Sequence, residues 1–184
     1  MDQDASDTTI RPATPDDADG MAEVSVAAWR ETYGGLLPQP TLDGMSVPDR
    51  AAWWRQRLSS GSPDRPRPRA WVAERGGRIV GFVDGGPARA AELGQEMEVY
   101  AIYLLDSVKR QGLGRRLLRA IFRDFVAHGA TSAGLWVLRD NHGARRFYEA
   151  CGAVPTTERT ESRPGYALTE VGYAWRDLRA ATAE

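Results

Sequence analysis

Residues 96–125 constrain what this chain folds into more than any other stretch. Glu96–Leu105 is rich in Val, Tyr, Ile and Leu, the composition of a central β-strand. A polar turn holding Gly112 and Gly114 follows. Then comes a helical period, with Leu113, Leu117, Ile121 and Phe125 on one side and Arg115, Arg119 and Arg123 on the other. A buried strand feeding an amphipathic helix calls for α/β layers. Glycines at such a turn leave backbone N–H groups uncovered, and the helix start directs its own unpaired N–H groups at the same point. That makes an anion site suited to a pyrophosphate. Equally, it describes a plain strand–helix turn whose glycines allow close packing. The spacing is neither that of a Gly-x-Gly-x-x-Gly dinucleotide site nor that of a P-loop.

The flanking chain fits the same class. Thr9–Ala13 reads as a short strand, and Thr14-Pro15-Asp16-Asp17 as a helix start with a capping Thr, a first-turn Pro and acids at the positive end. The helix is predicted to reach about Arg30. A second helix is predicted over Pro48–Ser59, with Ala51, Trp54 and Leu58 on one face, then an exposed Pro-rich loop over Ser60–Pro68. Ala70–Glu74 and Arg78–Asp84 form a hairpin across Gly76-Gly77, ended by Gly85-Gly86-Pro87. Leu135–Leu138 is a short strand, Asn141–Ala150 a helix, and two more strands lie near Ala153–Glu158 and Leu168–Trp175. The order β-α-α-β-β-β-α-β-α-β-β gives a single α/β domain, a mixed central sheet of about six or seven strands flanked by about four helices. Residues 1–8 are expected to be a disordered polar tail, and 9–184 the domain.

Charge and composition exclude several classes. Lys+Arg 24 against Asp+Glu 25 leaves a formal net charge of −1, so no global field recruits nucleic acid or a membrane. No apolar run approaches the roughly 20 residues that span a bilayer. A single cysteine, Cys151, suits a reducing compartment, and no signal peptide is visible, so a cytoplasmic location is expected. His128 and His142 are too few and too scattered for a metal site, and no metal is expected.

Two segments give the anion turn a meaning. Ile102-Tyr103-Leu104, followed by Lys109-Arg110-Gln111-Gly112-Leu113-Gly114-Arg115-Arg116-Leu117-Leu118, resembles motif A of the GCN5-related N-acetyltransferases (GNAT), with Lys109 where Gln or Arg is usual. Downstream, Asn141-His142-Gly143-Ala144-Arg145-Arg146-Phe147-Tyr148-Glu149-Ala150-Cys151-Gly152 is similar to that family's Asn-x-x-Ala-x-x-Phe-Tyr-Glu-x-x-Gly-Phe segment, with Ala153 in place of the aromatic. The resemblance, which covers residues 9–177, implies a GNAT fold and acetyl-CoA as co-substrate. It implies that backbone groups of Ile102, Tyr103 and Leu104 bond the pantetheine arm. Lys109 and the backbone N–H groups of Arg110, Gln111, Gly112, Leu113, Gly114 and Arg115 would hold the pyrophosphate. Asn141 would bond the pantetheine, and Tyr148 would protonate the departing sulfur.

The reaction so implied is attack of an amine on a thioester, which needs a neutral amine and a proton for the thiolate. A phenol with a reference pKa of about 10 is a reasonable donor. Tyr148 is otherwise a core aromatic beside Phe147. Glu98, four residues before Ile102, is the candidate general base, as a glutamate at this spacing is in the histone-acetylating branch; otherwise it is a solvated strand-start residue like Glu96. Trp29 and Tyr33 are candidate acceptor-wall residues, able to hold a cationic or aromatic substrate, while Trp54 fits a core better. Cys151 reads as packing. The expected acceptor is a small-molecule amine, reached by direct transfer in a ternary complex. A protein N-terminus or lysine is the alternative, and a non-catalytic CoA-binding sensor a further one. A homodimer is common in the family.

Overall fold

The computed structural model describes residues 7–60, 69–163 and 165–183. Most of the tail and the body of the Pro-rich loop, residues 1–6 and 61–68, lie outside that range. Seven strands form one sheet in the order β1-β2-β3-β4-β5-β7-β6. Its members are β1 (Thr8–Pro12), β2 (Arg69–Arg75), β3 (Arg78–Pro87), β4 (Met97–Leu104), β5 (Ala133–Leu138), β6 (Val154–Arg163) and β7 (Tyr166–Trp175). Strand β5 runs parallel to β4 and antiparallel to β7, so the sheet is mixed, as expected. Four helices exceed eight residues: α1 (Ala18–Tyr33), α3 (Val47–Ser59), α4 (Leu113–Ala127) and α5 (His142–Ala150). Two five-residue helices, α2 (Gln39–Asp43) and α6 (Leu178–Thr182), were not foreseen.

Contacts divide the chain into one unit of Met1–Asp84 with Ala101–Ile121, and another of Gly85–Tyr100 with Phe122–Glu184. In the first unit, β1 begins at Thr8, one residue inside the span expected to be tail. Thr8 pairs with Arg75 on β2, its hydroxyl accepts from Arg75 Nε at 2.7 Å, and its carbonyl accepts from Arg116 Nη2 at 2.7 Å. Thr14 and Asp17 form the predicted capping arrangement, the Thr14 N–H donating to Asp17 Oδ2 at 2.7 Å. Arg11 grips the same carboxylate through both Nη atoms at 2.7 and 2.8 Å, and Glu74 through Nε at 2.8 Å. Helix α1 runs one turn beyond Arg30, because Trp29 and Tyr33 pack edge to face at 4.9 Å and hold its last turn together.

The core of this unit joins Met21, Ala22 and Val24 of α1 to Ala51 and Trp54 of α3, with Val72 of β2 and Phe82 of β3. Gly20 lets α1 settle onto β3, since a Cβ there would lie 2.9 Å from Ile79 Cγ1. Gly76 and Gly77 take φ of 57° and 73°, the paired left-handed residues of a tight hairpin turn.

In the second unit Phe122 and Phe125 of α4, Leu135, Tyr148, Tyr173 and Trp175 are all buried. Phe122 and Trp175 lie 4.9 Å apart, and the Trp175 indole donates to the Cys151 carbonyl at 2.8 Å. Strand β3 carries on through Gly85-Gly86-Pro87, which was expected to end it. There glycine serves close approach: a Cβ at Gly86 would lie 2.8 Å from the Tyr100 hydroxyl, which donates to the Pro87 carbonyl at 2.6 Å. Strand β4 meets β5 only at its start, through Met97–Ala133 and Glu98–Gly134.

Candidate active site

In the first unit, β4 leads through a short turn at Asp106–Val108 to α4. Arg110 sits at φ 61°, alone among described non-glycine residues in being left-handed, and Gly112 follows at 78°. A left-handed Arg costs about 1–2 kcal/mol, which the surrounding contacts must hold in place. They do so with side chains. Gln111 accepts from Arg75 Nη2 at 2.8 Å and donates to the Ser107 carbonyl at 3.0 Å. Lys109 lies 3.4 Å from Asp106 and 3.6 Å from Glu31. The Lys109 N–H bonds to Asp106 and the Arg116 N–H to Gly112, each at 3.1 Å. Between these lies the first turn of α4, whose N–H groups have no preceding helical carbonyl to bond. The Lys109 and Gln111 side chains are thus turned to the protein, which leaves the loop backbone as the candidate anion site.

The same unit brings the two expected acceptor-wall residues, Trp29 and Tyr33, together with Tyr103. Trp29 Nε1 donates to the Tyr103 hydroxyl at 2.8 Å, with Tyr33 packed on Trp29. Ring contacts continue from Tyr103 to Phe82 at 5.5 Å, Phe82 to Trp54 at 5.1 Å, and Trp54 to Trp53 at 4.7 Å. Burial pushes the Tyr103 phenol up, against the hydrogen bonds from Trp29 and Tyr33 and the charge of Arg50. Guanidinium groups already cover two of these rings. Arg50 lies 6.0 Å from the Trp29 centroid, and Arg57 lies 5.3 Å from that of Trp53 while pairing with the buried Asp84 at 3.0 Å.

In the second unit the two glutamates of the β4 region separate clearly. Glu96 is exposed and accepts from the Thr131 N–H at 3.0 Å and hydroxyl at 2.7 Å, which pulls its carboxyl below the usual range. Glu98 is 1% exposed, so the solvated alternative does not hold. Its Oε2 accepts the Arg89 backbone N–H at 2.9 Å, and its Oε1 accepts Arg89 Nη2 at 2.5 Å and Nε at 3.2 Å. Arg89 lies 4.2 Å over the Tyr100 ring. No periodicity marks Arg89; its pairing is set by the chain reversal between β3 and β4.

Tyr148 is buried on α5, 5.3 Å from Phe147 and 6.2 Å from both Tyr173 and Trp175. The Asn141 Oδ1 caps α5 by accepting the Ala144 N–H at 3.1 Å, which leaves the amide N–H groups for any ligand. Nearby, the Tyr173 hydroxyl donates to Glu149 at 2.5 Å and accepts from Arg145 at 3.1 Å. Among the described residues, no group of three His, Cys, Asp or Glu could hold a metal ion, and no helix is long and apolar enough to cross a membrane.

A model described as the acetyltransferase (GNAT) family matches residues 29–153. An N-acetyltransferase of Bacillus subtilis called YuaI, described as uncharacterized, is 34% identical over 94% of this chain and 95% of its own length. Among solved structures, an acetyltransferase from Salmonella typhimurium with its cofactor acetyl-CoA superposes with a TM-score of 0.67 at 20% identity, covering 92% of this chain and 93% of the other. A ribosomal-protein-alanine N-acetyltransferase from Brucella melitensis gives 0.69 at 21%, covering 91% and 99%.

Proposed function

The chain belongs to the acetyltransferase (GNAT) family, an acyltransferase whose co-substrate is acetyl-CoA, and we propose that it transfers the acetyl group directly to the primary amine of a small molecule. The loop Lys109–Gly114 carries this reading. Its left-handed Arg110 and Gly112 open the start of α4 as a backbone anion site, which fits the pyrophosphate of CoA. Arg110, Gln111, Gly112, Leu113, Gly114 and Arg115 would hold that group through backbone N–H groups, Lys109 by shaping the turn. Backbone groups of Ile102, Tyr103 and Leu104, with the Asn141 amide, would hold the pantetheine arm.

Glu98 takes the proton as the amine forms its C–N bond to the acetyl carbon, and Tyr148 gives its proton to the sulfur as the C–S bond breaks. The Arg89 backbone N–H on Oε2 fixes the orientation of the Glu98 carboxylate, which supports the first assignment. Arg50, 6.0 Å from the centroid of the candidate wall residue Trp29, supports a small acceptor over a Lys- or Arg-rich peptide. We place the protein in the cytoplasm.

Release of free thiol from acetyl-CoA tests the reading, with a panel of small amines set against peptides bearing free N-termini or lysines. Small amines should drive release. Release by peptides alone would replace the acceptor assignment with protein acetylation.

A further inference from the structure

We propose that Arg75 is a positioning residue for the co-substrate: through Gln111 it holds the Lys109–Gly114 loop in the left-handed shape that presents its N–H groups to the pyrophosphate of CoA. This rests on the assignment of that loop as the pyrophosphate site.

Arg75 lies outside both segments that carry the family resemblance. It ends β2, a strand with β1 on one side and β3 on the other, so the sheet fixes its backbone. Its guanidinium is fixed as well. At 2.7 Å, Nε donates to the hydroxyl of Thr8, its partner on β1, which is only 3% exposed. Nη2 of the same group donates to Gln111 Oε1 at 2.8 Å. A guanidinium is planar, so a group already held through Nε has little freedom left to lose at the second bond.

Gln111 sits between the two left-handed residues of the loop, Arg110 at φ 61° and Gly112 at 78°. Its amide is a bridge. Oε1 accepts from Arg75 outside the loop, while Nε2 donates to the Ser107 carbonyl at 3.0 Å. Glycine takes a positive φ freely, whereas Arg110 takes it against its own Cβ. Released, Arg110 favours the right-handed or extended regions, and either one re-aims the peptide N–H groups beside it. The bridge opposes that relaxation at the adjacent residue. The apparent affinity of a ligand falls with the fraction of molecules in its binding shape, so a clamp on this shape acts directly on CoA binding.

Calorimetric titration of the full chain with CoA tests the assignment without any knowledge of the acceptor. Arg75→Met keeps the apolar stem and removes the donors; Gln111→Leu removes the bridge with no change of charge. Each should weaken CoA binding by about fivefold or more, the scale set by a left-handed non-glycine residue. The double variant should be no weaker than the worse single one, because both changes break one connection. Arg110→Gly removes the strain that the clamp opposes, so in that background either change should cost less than about twofold. A loss that is the same with Arg or Gly at position 110 overturns the proposal and marks Arg75 as a support of the β1–β2 pairing alone. Unchanged affinity in Arg75→Met or in Gln111→Leu overturns it too. Should Arg75→Met not fold, Gln111→Leu, at an exposed position, supplies the same comparison. Gly112→Ala separates this proposal from the reading beneath it. If that variant binds CoA as the wild type does, or the wild type binds none, the loop is not the pyrophosphate site and both fall. If Gly112→Ala weakens binding and Arg75→Met does not, only the role of Arg75 falls.

Discussion

Glu96 and Glu98 stand two positions apart, and their partners decide their roles. Thr131 captures the exposed Glu96 as a tie to the start of β5, while Arg89 holds Glu98 out of water. Glu98→Gln keeps a neutral acceptor for the backbone N–H but cannot take a proton. Its kcat should fall by about 10²-fold or more, with acetyl-CoA affinity unchanged by titration. Tyr148→Phe keeps the ring packed against Tyr173 and Trp175 and removes only the hydroxyl. A similar loss of kcat with retained cofactor binding is expected, and unaltered turnover would sink Tyr148 as the acid. At this scale the sequence was legible in where a motif placed its residues, Tyr148 buried on α5 and Asn141 capping that helix. It was silent on Arg89 and Arg75, whose partners are 9 and 36 positions away and are brought to them by strand reversals and a crossover that no local period encodes.

The α4 turn shows how an element can be read correctly and explained incompletely. Gly112 was expected to matter for approach of the pyrophosphate to the backbone, and a Cβ there meets no protein atom within 4 Å. A further constraint is its φ of 78°, where any L side chain is strained by about 1 kcal/mol or more. Gly112→Ala should therefore weaken acetyl-CoA binding several-fold by calorimetry, as the turn relaxes and its N–H groups swing away. Gly77→Ala, at φ 73° in the hairpin turn, should lower thermal stability comparably and leave the affinity for acetyl-CoA alone. The types of the seven strands and four longer helices were legible, because apolar periods of 3.6 and 2 are strong along this chain. The ends were less so. Gly85-Gly86-Pro87 reads as punctuation, but Gly86 is there to pass Tyr100, and only the neighbouring strand reveals it. The two five-residue helices are too short to carry a period at all.

On the scale of the whole molecule, acid sensitivity can be traced to Asp17. Burial works against its charged form, but the Arg11 fork and the Thr14 N–H and hydroxyl outweigh it and hold the carboxyl below its usual range. A carboxyl lowered in the folded state contributes stability above its unfolded value, near about 3.9, and loses it as pH falls toward the folded value. Asp17→Asn should thus be less stable than wild type at pH 7 by denaturant titration, and the gap should narrow below about pH 4. The proposed donor half is legible from the sequence because it draws on backbone groups at a fixed motif. The proposed acceptor wall draws on Trp29, Tyr33 and Tyr103, with Arg50 beside them, side chains of separate elements whose grouping is a product of packing. Thr8 links the outermost strand to this chemistry. It receives Arg75 on its hydroxyl and Arg116 on its carbonyl, and those arginines bear on Gln111 and on the first turn of α4. The first strand is in effect a tensioning stay for the proposed nucleotide loop, so a change at Thr8 is expected to act as a remote adjustment of cofactor residence time.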